Sequence, residues 1–503
     1  MRPLPQPDLR PRPLPTLLLP LVFAALALIP AALTLVALTP EPALAQDAAD
    51  RGSFDRLFTG RTLRVDYYHA GTAAEEHLAL DRARVEGPWP GSRTQLLDPL
   101  NLGKYLVEVA DLETHRVLYS RGFASIYGEW ETTGEARQGT WRVFPEAVRL
   151  PEPRRPVQVR IRKRAADQSF HEIWAVTIDP ASRHVDRAPI APGTVHVIQE
   201  YGPPAVKVDL LLLGDGYAAK EMEKFRRDAA RITEDLFRYE PFRSRREDFN
   251  VRALETPAAR SGVSRPRAGI FRDSPLGARY NSLDSERYVL SPDDRGWRDA
   301  AAAAPYDFVL ILVNERKYGG GGIFQLYSTA AADSGFSSYL AVHEFGHHFA
   351  GLGDEYYTSD VAYEDFAGDL EEPWEPNITA LHDPETLKWG NLVAASTPLP
   401  TPWAKEAYEE ASRASQQRRR ELRAQGAPEE ALEELFRDEQ KRFTASLGAE
   451  EHAGEIGAFE GAMYQARGLY RPAADCIMFT RDEVGFCAVC QRAIERVIDL
   501  YSR

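Results

Sequence analysis

The stretch that decides the fold of the C-terminal half of the chain is residues 343–357, HEFGHHFAGLGDEYY. It contains three of the chain's eleven histidines. Its largely apolar spacing predicts a helix, which Ser337 or Ser338 can cap. On a helix His343 and His347 lie about one turn apart, so both imidazoles face the same side and can bind one zinc ion.

A base and a third ligand can be assigned around this pair of histidines. Glu344 is positioned to take a proton from a water molecule that the zinc activates. Catalytic zinc sites have three protein ligands and one open position, so one more ligand has to follow the helix. Gly351 can end the helix in a left-handed conformation and turn the chain back toward the metal. Asp354 then reaches the metal, and Glu355 is its closest competitor.

A second group of residues, near the C-terminus, is built around Cys476, Cys487 and Cys490. Two interpretations are open for them. One is a disulfide from Cys476 to either of the others, and the other is a structural zinc clip of three thiolates and a fourth ligand. Met478 is the candidate for a methionine turn, the element that underlies the metal site in metzincins. Either arrangement ties that turn to the final predicted helix, residues 491–501.

Composition and charge exclude several classes of function. The 503-residue chain is 44% hydrophobic, enough for packed cores, and its net charge is −14 without a clustered basic excess. Nucleic acids and anionic membranes bind proteins through clustered basic residues. We therefore predict neither nucleic acid nor a membrane surface as a partner.

Residues 1–45 carry the three parts of a signal peptide. Three arginines precede an apolar run at 17–38, and a small-residue cleavage site, ALA, follows at 43–45. The alternative is a retained membrane anchor, because the run is about long enough to span a bilayer. Two prolines inside the run and the cleavage site favour removal. We expect a secreted or periplasmic protein with no stable membrane insertion after cleavage.

The hydrophobic pattern divides the remaining chain into two parts. Residues 46–190 alternate polar and apolar side chains between Gly and Pro turns, which predicts an all-β sandwich. Residues 195–503 follow a strand–helix–strand–strand order with a doubly buried strand at 206–213, which predicts an α/β or α+β domain. A highly charged stretch at 403–447 predicts an inserted helical hairpin, broken at 426–428, that is solvated or lines the cleft.

The motif at 343–357, the stretch at 461–472 and the cysteine–methionine segment together resemble the IgA-peptidase family of secreted bacterial zinc metallopeptidases. Members are metzincin-like and often carry an N-terminal β-sandwich, so the resemblance implies a metzincin-like catalytic domain over residues 195–503. It also implies five residue roles: the zinc ligands His343, His347 and Asp354, the general base Glu344 and the methionine turn Met478. The metzincin signature places the third ligand ten positions after the first, whereas Asp354 lies eleven after His343.

Four further features concern substrate contacts and packing. Some metzincins have a tyrosine two residues after the methionine, where this chain has Thr480. Tyr464 and Tyr470 are candidates for oxyanion or substrate contacts, with packing as the alternative. His348 points to another side of the helix than the two ligands, so we predict a packed or solvated ring. An extended peptide would add as a strand to a sheet edge, for which residues 322–328 are the candidate.

These observations favour an exported zinc-dependent endopeptidase acting on peptides or proteins. Two alternatives from other classes remain: a zinc amidase acting on cell-wall peptides, and a non-catalytic surface adhesin with a structural metal. Glu344 argues against the adhesin, because a structural site needs no base. The sequence does not select immunoglobulin A or any other substrate, and it carries no indication of the oligomeric state.

Overall fold

The structure, a computed structural model, describes residues 54–358, 370–482 and 484–502. The predicted signal peptide at residues 1–45 lies outside these ranges. None of the helices within them is both long enough and apolar enough to cross a lipid bilayer.

The N-terminal part of the chain consists of two four-stranded sheets and three short helices. These elements are α1 (Phe54–Leu57), β1 (Phe58–Gly71), β2 (Glu76–Pro88), β3 (Tyr105–Asp111), β4 (Val117–Phe123), α2 (Ile126–Trp130), α3 (Gly134–Arg137), β5 (Arg142–Pro153), β6 (Val157–Arg164), β7 (Phe170–Ile178) and β8 (Val185–Asp186). The strand orders are β5-β1-β2-β8 and β4-β3-β6-β7. Val65 of β1 and Val159 of β6 belong to the same core, so the two sheets pack as a sandwich.

The second face of β1 is buried as well, although its residues are polar. Arg64 is fully buried and pairs with Asp66 at 2.7 Å and Glu86 at 2.9 Å. It also reaches Asp299 of the C-terminal part at 2.5 Å. The N-terminal sheet therefore packs on the C-terminal part through buried ion pairs rather than facing water.

A six-stranded mixed sheet forms the centre of the C-terminal part. Its strands are β9 (Val195–Gln199), β10 (Val208–Asp215), β11 (Phe249–Leu254), β12 (Phe308–Val313), β13 (Gly320–Ile323) and β14 (Tyr327–Ala331). The order is β13-β14-β12-β10-β11-β9, in which the four central strands are parallel and the two edge strands antiparallel. All eight residues of β10 are buried, as the apolar run at 206–213 predicts for a strand covered on both faces.

Six helices and a hairpin complete this part. They are α4 (Met222–Leu236), α5 (Asp294–Ala301), α6 (Ser337–Ala350), α7 (Lys405–Ala424), α8 (Glu429–Leu447), β15 (Phe459–Ala462), β16 (Gln465–Arg471) and α9 (Ala488–Ser502). α7 and α8 flank residues 426–428, where the sequence predicts a break. The pair is not simply solvated, because Tyr408, Phe436 and Phe443 join the main hydrophobic core.

The prediction that Ser337 or Ser338 caps α6 is wrong. The residue before the helix is Phe336, and no side chain caps that end. Both serines lie in the first turn and bond elsewhere, the hydroxyl of Ser338 to the carboxylate of Asp235 at 2.5 Å and that of Ser337 to Arg231 at 3.0 Å. These contacts tie α6 to α4 instead of capping it.

Candidate metal centre

Edge strand β13 lies directly against α6, the helix that carries His343, Glu344 and His347. A Cβ on Gly322 would lie 2.1 Å from the carbonyl oxygen of Glu344, and a Cβ on Gly320 would lie 3.2 Å from Oε1 of the same residue. The glycines are therefore needed for the approach of strand and helix. Of the predicted edge, residues 322–323 belong to edge strand β13, whereas residues 327–328 lie in the inner strand β14.

Two histidines and one carboxylate converge at the surface of α6. Gly351 ends the helix in the left-handed conformation, with φ of 62°, as its position predicts. The chain then returns to the helix at Asp354. The Nε2 atoms of His343 and His347 lie 3.1 Å apart, and each lies within 3.2 Å of Oδ1 of Asp354. The three ligand atoms form a nearly equilateral triangle.

The second nitrogen of each ring determines its tautomer. Nδ1 of His343 lies 2.9 Å from the carbonyl oxygen of Ile477, and Nδ1 of His347 lies 2.5 Å from that of Leu352. Because a carbonyl oxygen only accepts, each Nδ1 donates, and the neutral ring keeps a lone pair on Nε2. With both rings neutral, three lone-pair atoms face one another, which is repulsive unless the cluster holds a positive charge. Burial alone would lower the pKa of His347, but Asp354 raises it to about 9, so that charge is either a proton or a metal ion between the three atoms. The residues fit zinc, for which His and Asp are ordinary ligands.

Burial and charge set the protonation of the two carboxyl groups in this centre. Burial raises the pKa of Glu344 above its ordinary value, and His343 and His347 partly oppose that effect. Burial would also raise the pKa of Asp354, but the two histidines outweigh it and hold this pKa well below the usual range. The charge distribution therefore favours an ionised Asp354, whereas burial favours the protonated form of Glu344.

Met478 lies beneath the metal centre. It is fully buried, and a Cβ on Gly346 of α6 would lie 3.1 Å from its Sδ atom. The carbonyl oxygen of Met478 accepts a hydrogen bond from the backbone of Glu355 at 2.9 Å. The hydroxyl of Thr480 donates a hydrogen bond to Asp475 at 2.7 Å. The segment around Met478 therefore supports both α6 and the loop of the third ligand.

The two tyrosine candidates have different positions. The hydroxyl of Tyr464 donates to Oδ2 of Asp354, so this residue belongs to the centre. Tyr470 lies in β16, where its backbone bonds to Thr379. Within the described ranges no contact joins Tyr470 to the three ligands, and its role stays a prediction.

The sequence patterns do not point to Arg287 or Tyr356, which also lie beside the centre. The Tyr356 hydroxyl lies 3.2 Å from that of Tyr464 and accepts a hydrogen bond from Arg287 at 2.9 Å. Its ring stacks near His343, with centroids 6.1 Å apart and planes inclined by 19°. Tyr356 falls inside the motif at 343–357, so that motif could have identified it. Arg287 comes from a distant loop whose sequence carries no pattern that points to the centre.

Asp354 and Glu355, the two candidates for the third ligand, face different groups of residues. Asp354 joins the histidines, whereas Glu355 faces the three cysteines. The ligand atoms of Glu355, Cys476, Cys487 and Cys490 all lie within 4.8 Å of one another. All three cysteines are free thiols.

His348 is packed, as predicted. Its Nδ1 donates to the carbonyl oxygen of Ile323 at 3.1 Å, and its Nε2 accepts from the backbone of Val309 at 3.2 Å. Burial lowers the pKa of His348 to about 3, so the ring is neutral. It connects α6 with β12 and β13 and takes no part in the metal centre.

Two family profiles match the chain. The profile described as IgA Peptidase M64 matches residues 196–498, which is more than half of the chain. The profile described as Peptidase M64 N-terminus matches residues 53–175. A search of curated proteins gives no match.

Proposed function

Because this chain belongs to the IgA Peptidase M64 family, we propose that it is an exported zinc-dependent endopeptidase with Glu344 as its general base. Family membership indicates that the protein is a peptidase and that it acts on peptides or proteins. One observation supports zinc dependence and the role of Glu344 as the base. Three lone-pair atoms, from His343, His347 and Asp354, converge beside Glu344 at the edge of a sheet.

The residues of the centre divide the chemistry between them. His343, His347 and Asp354 would hold the zinc, which when bound supplies Lewis-acid activation of water and of the scissile carbonyl. Glu344 takes the proton of the attacking water and delivers it to the leaving amine. Burial raises the pKa of Glu344, which strengthens this carboxylate as a proton acceptor. Tyr464 holds the second oxygen of Asp354 and is the candidate for the oxyanion contact.

The edge strand beside α6 supports a peptide as the substrate. β13 ends the six-stranded sheet, and an extended peptide can add to such an edge through backbone hydrogen bonds. The segment at 287–289 already pairs with Gly320 and covers Gly321, so the free part of the edge begins at Gly322. This position lies next to Glu344, where the scissile bond has to lie.

We further propose that residues 195–503 form a metzincin-like domain behind a β-sandwich at 46–190, and that residues 1–45 direct export. The left-handed turn at Gly351 and the buried Met478 beneath α6 support the metzincin-like arrangement. The alternatives stay a cell-wall amidase, which needs the same centre, and an adhesin, which leaves Glu344 without a role.

Substrate tests on the purified protein distinguish these functions. We expect cleavage of casein that stops on treatment with 1,10-phenanthroline and returns on addition of zinc. Release of peptides from peptidoglycan without any cleavage of casein would instead favour the amidase. A zinc-loaded protein that acts on neither substrate would contradict both enzymatic functions.

A further inference from the structure

Three thiols and one carboxylate form a buried cluster next to the catalytic centre. Sγ of Cys490 lies 3.9 Å from Sγ of Cys476 and 3.3 Å from Oε1 of Glu355. The backbone N–H of Cys487 points to Sγ of Cys476 at 3.3 Å. Cys476, Cys490 and Glu355 are all fully buried.

The carboxylate of Glu355 is incompletely satisfied in this position. Asn377 donates to Oε1 at 2.9 Å, whereas Oε2 is buried without a hydrogen-bond partner. Among the residues that the structure describes, no Lys or Arg forms an ion pair with Glu355. Burying an ionised carboxylate without a paired cation costs several kcal/mol, so a cation bound beside the three thiols would stabilise the ionised form of Glu355.

We propose that Cys476, Cys487, Cys490 and Glu355 bind a second, structural zinc ion. Tetrahedral zinc with Zn–S bonds of about 2.3 Å places two sulfurs about 3.8 Å apart, close to the Sγ separation of Cys476 and Cys490. Bonded sulfurs in a disulfide would lie about 2.05 Å apart. A Cys-x-x-Cys pair at the start of a helix with an N–H aimed at a sulfur suits thiolate ligands of zinc.

This second site would hold the catalytic centre in shape. Glu355 follows the ligand Asp354, and Cys476 precedes Ile477, whose carbonyl oxygen fixes the ring of His343. Cys487 directly precedes α9, and Cys490 lies in its first turn. One ion would therefore join the loop of the third ligand, the methionine segment and the last helix. The proposal of this second zinc ion does not depend on the proposed peptidase activity.

Metal content of the full mature chain tests this site. We expect two zinc ions per chain in the parent and one in the His343→Ala/His347→Ala variant. After exchange with cobalt, that variant should show the thiolate-to-cobalt charge-transfer absorption, and a Cys487→Ser/Cys490→Ser variant should lack it. The histidine variant decides the question even where the cysteine variant does not fold. A histidine variant without metal, or fewer than three titratable thiols in the unreduced, denatured parent, would overturn the proposal.

A large cleft shares Arg287 with the surroundings of the metal centre. The cleft has a volume of about 980 Å³ and lies between α2 and α3, the loop at 267–292 and helix α7. Seven arginines but three carboxylates line it, in a chain with a net charge of −14. Arg142, Arg267 and Arg423 pair with those carboxylates, Glu135, Asp284 and Glu286.

Two of the other arginines come from different segments of the cleft lining. Arg279 and Arg419 form no ion pair within the described parts of the chain. Burial and the nearby guanidinium of Arg287 lower the pKa of Arg419 to about 10, as expected among like charges. Arg287 also lines the cleft, and its side chain bonds to Tyr356 beside His343.

Resting on the proposed function, we infer that this arginine cleft binds a carboxylate-rich segment of the substrate next to the scissile bond. Guanidinium groups pair with carboxylates through charge-assisted hydrogen bonds, and a concave wall of one charge sign concentrates the field. The position between the β-sandwich and α7 leaves room for an extended chain that continues away from the centre.

Binding to the inactive Glu344→Gln protein tests the cleft separately from catalysis. We expect a labelled, unstructured Glu-rich peptide to bind roughly tenfold tighter than its Gln counterpart, with the difference falling at high salt. Arg279→Gln/Arg419→Gln should abolish the difference. Arg413→Gln should keep it, because that residue is exposed on α7 outside the cleft lining.

Equal binding of the two peptides, or preference for heparin with no gain from glutamates, would overturn the acidic-peptide inference. The parent protein reports on the proposed function in a parallel assay. If it cleaves neither peptide although the Glu-rich one binds tighter, the cleft inference stands and the peptidase proposal fails. If the parent cleaves both peptides equally and the inactive protein binds both equally, the peptidase proposal stands and the cleft inference fails.

Discussion

Tyr464 connects the third ligand to the β15–β16 hairpin. Met463 and Tyr464 form the turn of this hairpin with positive φ angles of 44° and 63°, and the Tyr464 hydroxyl donates to Asp354. Partners of metal ligands typically change metal affinity or activity by about 10- to 100-fold. We therefore expect Tyr464→Phe to weaken zinc binding by that range in a chelator competition assay. Tyr470→Phe is the matched control, and an equal effect of both variants would contradict the assignment.

His69 links the pH dependence of stability to the N-terminal sandwich. Its two ring nitrogens contact Glu146 at 3.0 Å and Glu76 at 2.9 Å. Burial alone would lower the pKa of His69, but the two carboxylates raise it to about 9 from the ordinary value of 6.5. The resulting stabilisation, on the order of 3 kcal/mol, is fully present below about pH 6.5 and is lost as the pH rises through 9.

The His69→Gln variant checks this dependence. We expect its thermal unfolding temperature to lie well below that of the parent at pH 6 and to approach it at pH 10, because the parent has then lost the charge on His69. A difference between the two proteins that is independent of pH would mean that the histidine contributes through packing, for example through its stacking on Tyr127 at 3.8 Å.

At the level of elements, the packing of β13 on α6 depends on glycine. A Cβ on Gly322 would meet the backbone oxygen of Glu344 at 2.1 Å, which no side-chain movement relieves. We expect Gly322→Ala to destabilise the protein by about 2–3 kcal/mol in denaturant unfolding and to lower peptidase activity, because strand and helix have to separate. Gly87→Ala has open space around its Cβ and is the control. Wild-type stability of Gly322→Ala would contradict this packing.

At the level of the whole molecule, Arg64 joins the N-terminal sandwich to the C-terminal part. It is fully buried among Asp66, Glu86 and Asp299. Replacing it removes one cation from the buried carboxylates of Asp66 and Glu86 and leaves each with a single partner, Arg82 and Arg149 respectively. We therefore expect Arg64→Leu to cost about 3 kcal/mol of unfolding free energy. Arg227→Leu, which removes an exposed pair with Glu223, should cost less than about 1 kcal/mol. Similar losses in both variants would argue against a buried junction.

The parts of the molecule that could be predicted from the sequence are those encoded by local patterns. The buried strand at 206–213, the left-handed turn at Gly351 and the pairing of His343 with His347 follow from periodicity and spacing, whereas spacing alone leaves the choice between Asp354 and Glu355 open. Contacts between distant segments could not be predicted this way. Glu355 meets the cysteines only through folding, and the arginine cleft is assembled from three segments that the sequence pattern does not bring together.

The central claim is that His343, His347 and Asp354 hold a catalytic zinc served by Glu344. Parallel measurement of zinc content and casein cleavage in the parent and in Glu344→Gln tests it most directly. We predict equal zinc in the two proteins and a rate of cleavage that falls by about 10²- to 10⁴-fold in the variant. A parent without zinc at the histidines, or a variant that cleaves as fast as the parent, would contradict the claim.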